Sequence, residues 1–289
     1  MRDYAITTDS SCDFDQALAD SLGVTVVPLS VQIGPRRFRN APGEAMDSHS
    51  FYQLLSQGEL AQTSAPNVEE FKAVWRPILQ SGRDLLYLGF SSGLSGTYHN
   101  AAIAAEDLRE EFPEARIITV DTLCASLGQG MLVDLTVQEK RQGKTLDEAA
   151  AFAEKNRLHL CHWFTVGDLG LLRRGGGLSA GRTIVGKLLN NKPDLHVDDE
   201  GHLVPMASAK GRKKSIEALV SHMEESAVAP EQQRVYISHG DCLADAQLLA
   251  QMVRDRLHVS SVTIGDVGPV IGAHSGAGTL ALFFVGTHR

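Results

Sequence analysis

Between the apolar run Asp84 to Phe90 and an alanine-rich stretch starting at Thr97 lies the loop Ser91-Ser92-Gly93-Leu94-Ser95-Gly96-Thr97, with four hydroxyl residues and two glycines. A loop that ends a strand and starts a helix offers unpaired N–H groups and a partial positive charge, which suits a carboxylate or a phosphate. Capping a helix needs only one hydroxyl. The surplus therefore points to a bound anion, which the two glycines let approach the backbone closely. Thr63-Ser64, just ahead of Pro66, are a further pair of donors; taken alone they read as a helix cap. The alternative chemistry is a serine hydrolase or acyltransferase using Ser95, with His274 or His239 as base and Asp9 or Asp121 as orienting acid. A nucleophile elbow wants glycine two residues after its serine, and Thr97 stands there.

The other short motifs are weaker. Leu172-Arg173-Arg174-Gly175-Gly176-Gly177 reads either as an anion loop or as a helix stopped by glycines. Lys210-Gly211-Arg212-Lys213-Lys214 is a compact basic cluster, a solvated helix start or a docking patch. No GxxxxGK[ST] stretch occurs, and Gly128-Gln129-Gly130 continues to Val133 where a dinucleotide fingerprint wants glycine or alanine. His159, Cys161 and His162 are close in sequence, but Cys161 and His162 face opposite sides of a strand, so no metal site is expected. His274 is set among Gly272, Ala273, Ser275, Gly276 and Gly278, whose bareness lets a ligand or a second loop approach.

To aim such a loop the chain needs a rigid frame, and its first half alternates strand-like and helix-like stretches. Tyr4 to Thr8, Gly23 to Ile33, Asp84 to Phe90 and Arg116 to Val120 read as extended; Asp13 to Leu22, the segment after Pro66, Thr97 to Phe112 and Ala125 to Arg141 read as helical. Past residue 158 the pattern shifts to a hairpin around Asp198-Asp199-Glu200-Gly201, helices from Arg212 and over Leu243 to Leu257, and strands at 234–238, 261–264 and 280–285 around a glycine-rich connection. This predicts an α/β fold in two lobes. Residues 1–157 form a Rossmann-like, mostly parallel sheet with helices on both faces, residues 158–289 form an α+β lobe, and the ligand sits between them.

With 289 residues, 43% hydrophobic and 21% charged, the chain has the make-up of a globular protein. Its formal charge of −8 argues against wholesale binding to a phosphate backbone, so no nucleic acid partner is expected. Four scattered cysteines without a CxxC pair fit reduced thiols. No long apolar span and no basic-then-apolar leader stand in the sequence, which gives a cytoplasmic expectation.

Read together, the segments resemble the DegV family of fatty-acid-binding proteins. Thr8-Asp9-Ser10-Ser11-Cys12-Asp13 matches the opening T-D-S-[ST]-x-D, Thr63-Ser64-Ala65-Pro66 the T-S-x-P, and Ser91 to Tyr98 the S-S-x-L-S-G-T-[YF]. Leu172 to Gly176, Asn191-Lys192-Pro193 and Ile271 to Gly278 continue the series; Gly177-Leu178, Asp194 and Ala277 depart from the usual pattern. The resemblance implies a carrier without catalysis, metal or cofactor of its own. It holds a long-chain fatty acid such as palmitate with the carboxylate on Thr63 and Ser95, and Ser64, Gly96 and His274 make further contacts. It also implies a separate fatty acid kinase as partner, with Arg173, Arg174, Lys210, Arg212, Lys213 and Lys214 as candidate contacts to that kinase or, transiently, to a membrane surface.

Overall fold

In the computed structural model the structure describes residues 2–174 and 191–289. In chain order these are β1 (Tyr4–Asp9), α1 (Gln16–Leu22), β2 (Thr25–Val27), β3 (Ser30–Ile33), β4 (Arg36–Arg39), α2 (Ser48–Ser56), β5 (Ala61–Ser64), α3 (Val68–Gln80), β6 (Asp84–Gly89), α4 (Thr97–Glu111), β7 (Ile117–Asp121), α5 (Ser126–Arg141) and α6 (Leu146–Asn156). After these come β8 (Leu160–Thr165), α7 (Leu169–Arg174), β9 (Asn191–Val197), β10 (Leu203–Lys210), α8 (Arg212–Ser226), β11 (Arg234–His239), α9 (Leu243–Leu257), β12 (Ser261–Asp266), α10 (Pro269–Ser275) and β13 (Leu280–Val285).

The first sheet is parallel, in the order β2-β1-β6-β7. Its strands are apolar runs because both faces are covered. On one face Ala5, Leu85, Tyr87 and Ile117 meet Phe71 and Trp75 of α3 and the alanines of α4. On the other, Ile6, Leu86 and Leu88 meet Leu132 and Val133 of α5. α3 starts sharply because Asn67 and Glu70 form a reciprocal capping box.

The third sheet, β10-β9-β8-β13-β11-β12, is mixed: only β11 and β12 run parallel. α8 and α9 cover one of its faces. The other face shares a core with the first sheet, since Phe164, Leu195, Tyr236 and Phe283 join the cluster that holds Ile6 and Leu88. The hydrocarbon interior is thus continuous through the region where the chain passes from the first sheet to the third.

Two expectations need correction. The extended run over residues 23–33 is broken at Pro28: β2 ends the parallel sheet, while β3 pairs antiparallel with β4 and β5 in a separate small sheet. Proline lacks the N–H that a continuous ladder needs. The glycine-rich connection after residue 266 is a helix, α10, begun by Pro269 and stopped at Gly276 with φ +78°. It packs closely on α2: a Cβ on Gly272 would stand 2.5 Å from the Tyr52 hydroxyl. That hydroxyl in turn donates to the Val267 carbonyl at 2.8 Å.

Candidate functional site

The small sheet, α10 and the loop after β6 converge on one cavity of about 210 Å³. From the first half come Leu29, Thr63, Ala65, Phe90, Leu94 and Ser95; from the second, Phe164, Val197, Val270, Ile271, His274 and Phe283. Ala125 and Ser126 at the start of α5 form a further wall. Most of the lining is hydrocarbon. Phe164, Val197, Ser238 and Phe283 are buried, whereas Thr63, Ala65, Leu94, Ser95 and His274 are half-buried, so the cavity opens at its hydroxyl end.

Each of the two forward hydroxyls is supported from behind. Thr63 comes from β5, and its Oγ1 lies 2.8 Å from His274 Nε2 at the end of α10. Burial holds the His274 imidazole below its ordinary pKa, so the ring is neutral near pH 7. Ser95 Oγ lies 2.8 Å from Thr97 Oγ1 and accepts the Thr97 N–H at 3.2 Å. Thr97 is the first residue of α4, whose N-cap Gly96 has no side chain to fill that role.

The remaining loop hydroxyls do other work. Ser91 Oγ donates to the Gly201 carbonyl at 2.9 Å and accepts the Gly93 N–H, anchoring the loop to the turn between β9 and β10. The Ser92 N–H binds the Asp121 carboxylate at 3.2 Å. Behind the loop sits Asp9, fully buried, which accepts from Tyr87 Oη at 2.7 Å, from the Phe90 N–H at 2.9 Å and from the Ser11 N–H at 3.0 Å. Burial raises its pKa against those hydrogen bonds. It acts as the strut that fixes where β6 turns into the loop. A hydrolytic triad would use Asp9 or Asp121 to orient a histidine; in the fold both accept backbone N–H groups instead.

Among the described residues the Ser95 hydroxyl hydrogen-bonds to Thr97 alone, and His239 lies 3.4 Å from Asp266. Ser64 and Gly96 are exposed and do not line the cavity. Among the basic candidates, Arg212 is held by Asp245 at 2.8 Å and by Cys242 Sγ at 3.3 Å. Lys210 ends β10, and Lys213 and Lys214 lie in the first turn of α8. The side chains of Arg173 and Arg174, and all of Gly175 to Asn190, lie outside the described residues.

His162, which the sequence offers only as a metal-ligand candidate set aside by its spacing, is a wall residue of the cavity. Its Nδ1 lies 2.8 Å from the Leu160 carbonyl and must donate to it, and burial keeps the ring neutral, well below its ordinary pKa. Asp13, the last residue of the T-D-S-[ST]-x-D motif, lies ahead of α1, which starts at Gln16. It accepts from Ser126 Oγ at 2.5 Å and from the Gly268 N–H at 3.0 Å, joining three distant segments at the cavity wall. Asp198, Glu200 and His202 bring side-chain ligand atoms within 4.8 Å of one another, but Asp198 Oδ1 already accepts the N–H groups of Glu200 and His202, as a turn requires. Among the described residues, no helix is long and apolar enough to cross a membrane.

A parallel sheet and a mixed sheet thus enclose an apolar cavity with hydroxyls at its opening, the architecture of an α/β protein with an internal binding cavity. The chain belongs to the DegV family, whose signature it matches over residues 3–287. It is 40% identical to a DegV domain-containing protein of Clostridium perfringens over 99% of this chain and 98% of that one. A Streptococcus pyogenes relative is 35% identical, with 98% of each chain covered. Among solved structures, a DegV family protein from Thermus thermophilus, described by its fatty acid binding, superposes with a TM-score of 0.89 at 31% identity, covering 99% of this chain and 100% of that one. DegV of Bacillus subtilis, described as a fatty acid binding protein, gives 0.86 at 26% identity, with 99% and 100% covered.

Proposed function

We propose that this protein binds one long-chain fatty acid, its carboxylate on Thr63 and Ser95 and its tail in the cavity between the lobes that divide near residue 157. It then presents the acid to a separate fatty acid kinase or lipid pathway, without catalysis of its own. The observation that carries the reading is the paired backing of the two hydroxyls. A carboxylate only accepts hydrogen bonds, so each hydroxyl must have a proton to spare. His274 Nε2–H donating to Thr63 Oγ1, and Thr97 donating to Ser95 Oγ, would leave both protons free for the ligand.

The energetics divide the same way. Burial of about fourteen methylenes at roughly 0.8 kcal/mol each contributes on the order of 11 kcal/mol before ordering costs. The hydroxyls offset the lost solvation of the carboxylate and fix its direction. The descriptions of the Thermus and Bacillus proteins as fatty acid binders support the class of ligand. Native mass spectrometry of the purified protein with lipid extraction tests it: one fatty acid per chain is expected, diminished in the Thr63→Ala, Ser95→Ala double variant. A protein that carries no lipid even after addition of palmitate or oleate would refute the reading.

A further inference from the structure

The small sheet that carries Thr63 has two faces. Val31, Phe38 and Thr63 share one row and point inward. The two rows beside it, Arg37-Gln32-Gln62 and Arg39-Ser30-Ser64, point outward. Gln32, Arg37, Arg39, Gln62 and Ser64 are exposed. Among the described residues none of these six side chains forms a hydrogen bond or ion pair, and the face holds hydrogen-bond donors but no carboxylate. Arg36, exposed at the start of β4, is likewise unpaired among the described residues, although Glu59 reaches the adjoining turn at Gly34. Three unpaired arginines within four residues stand out in a chain of formal charge −8.

At the same end of the sheet, Leu60 is 78% exposed beside the β3–β4 turn, where its carbonyl accepts the Gly34 N–H. β4 and β5 are two strand spacings apart, on the order of 10 Å, so the arginines are close to the strand whose Thr63 stands at the cavity opening.

We infer that this outer face docks on the anionic surface of a phospholipid bilayer, bringing the cavity opening to the membrane. The inference rests on the proposed fatty acid cargo for its purpose but not for its chemistry. A protein partner is held mainly by aromatic or aliphatic anchors seated in pockets. The outward side chains of this face are polar with no aromatic among them, while the arginines along β4 and one protruding leucine match the headgroup layer. Charges on an edge strand also deter pairing with another chain. Glutamate in place of arginine would deter pairing equally well but would repel an anionic bilayer, which separates the two roles.

Flotation of the full chain with vesicles of phosphatidylglycerol in phosphatidylcholine, against phosphatidylcholine alone, is the test. Binding is expected only to the anionic vesicles and should fade at high salt. Each basic residue near such a surface contributes about fivefold, so Arg37→Glu with Arg39→Glu should weaken binding by about 25-fold or more. Leu60→Ser should weaken it less, and Lys213→Glu with Lys214→Glu should leave it intact. Equal binding to both vesicle types, or undiminished binding by the arginine double variant, would overturn the inference. So would loss of partner-dependent acyl phosphorylation in that variant without vesicle binding, which would put an acidic protein on this face. Fatty acid content of the same preparations, read by mass spectrometry, reports on the cargo separately.

Discussion

Thr63 Oγ1 and His274 Nε2 stand 2.8 Å apart although 211 positions separate them in the chain. If the histidine orients the threonine proton toward the ligand, the two act as one unit. Thr63→Val and His274→Ala should each weaken fatty acid binding by about 1 to 2 kcal/mol, and the double variant should lose little more than either single one. Displacement of a fluorescent fatty acid measures all three; simple additivity would show that the contact does not serve the ligand.

Ser91 and Ser95 should separate stability from binding. Ser91 is buried and spends its hydroxyl on the Gly201 carbonyl, so Ser91→Ala should lower unfolding free energy by about 1 to 3 kcal/mol. Ser95→Ala, half-buried at the opening, should leave the melting temperature nearly unchanged while reducing retained lipid. Thermal melts with lipid analysis on both variants check the pair.

Asp13 gives a pH signature. Burial lifts its pKa from 3.8 to about 7 against the hydrogen bonds from Ser126 and Gly268, with Asp266 and Asp9 adding to the rise. A raised folded pKa means that its contribution is whole below pH 3.8 and is lost as pH climbs through about 7. His162, held low by burial, acts in the opposite sense: its contribution is present above 6.5 and lost as pH falls. Comparison with Asp13→Asn isolates the first effect. Any stability advantage of the natural protein over that variant should shrink between pH 4 and pH 8, by on the order of 2 to 4 kcal/mol. A pH-independent difference in melting would contradict this.

Gly128 faces the cavity wall with no room for a side chain, since a Cβ there would stand 2.2 Å from His162 Nε2 and 2.7 Å from Phe283 Cδ1. Gly128→Ala should cost about 1 to 3 kcal/mol. Adding His162→Ala should restore part of it, as chemical denaturation would reveal.

The strands and helices that alternate cleanly in pattern were legible in the sequence. α9 spans Leu243–Leu257 as its apolar spacing requires, and β6 follows its apolar run. α10 was not legible, because a seven-residue segment of small residues has little helical preference of its own; contact between Gly272 and Tyr52 holds it in place. Thr63, Ser95 and His274 were named from the sequence, but the contact between Thr63 and His274 depends on a tertiary fold that no spacing rule encodes. Ser91 belongs to the same run of hydroxyls as Ser95, and residue type cannot tell a hydroxyl facing a cavity from one facing a carbonyl 110 residues away. The outward face formed by the arginines of β4 is not legible in the sequence, because only the register of the small sheet shows that two of them share it.

β13 occupies the middle of the third sheet, hydrogen-bonded to β8 on one side and to β11 on the other. During synthesis β8 and β11 therefore have no partner between them until residues 280–285 leave the ribosome. Until then the cavity wall that contains Phe164 and Phe283 is unmade, and its apolar faces stand open to solvent and to other nascent chains. The third sheet is therefore continuous only once its last strand has joined it.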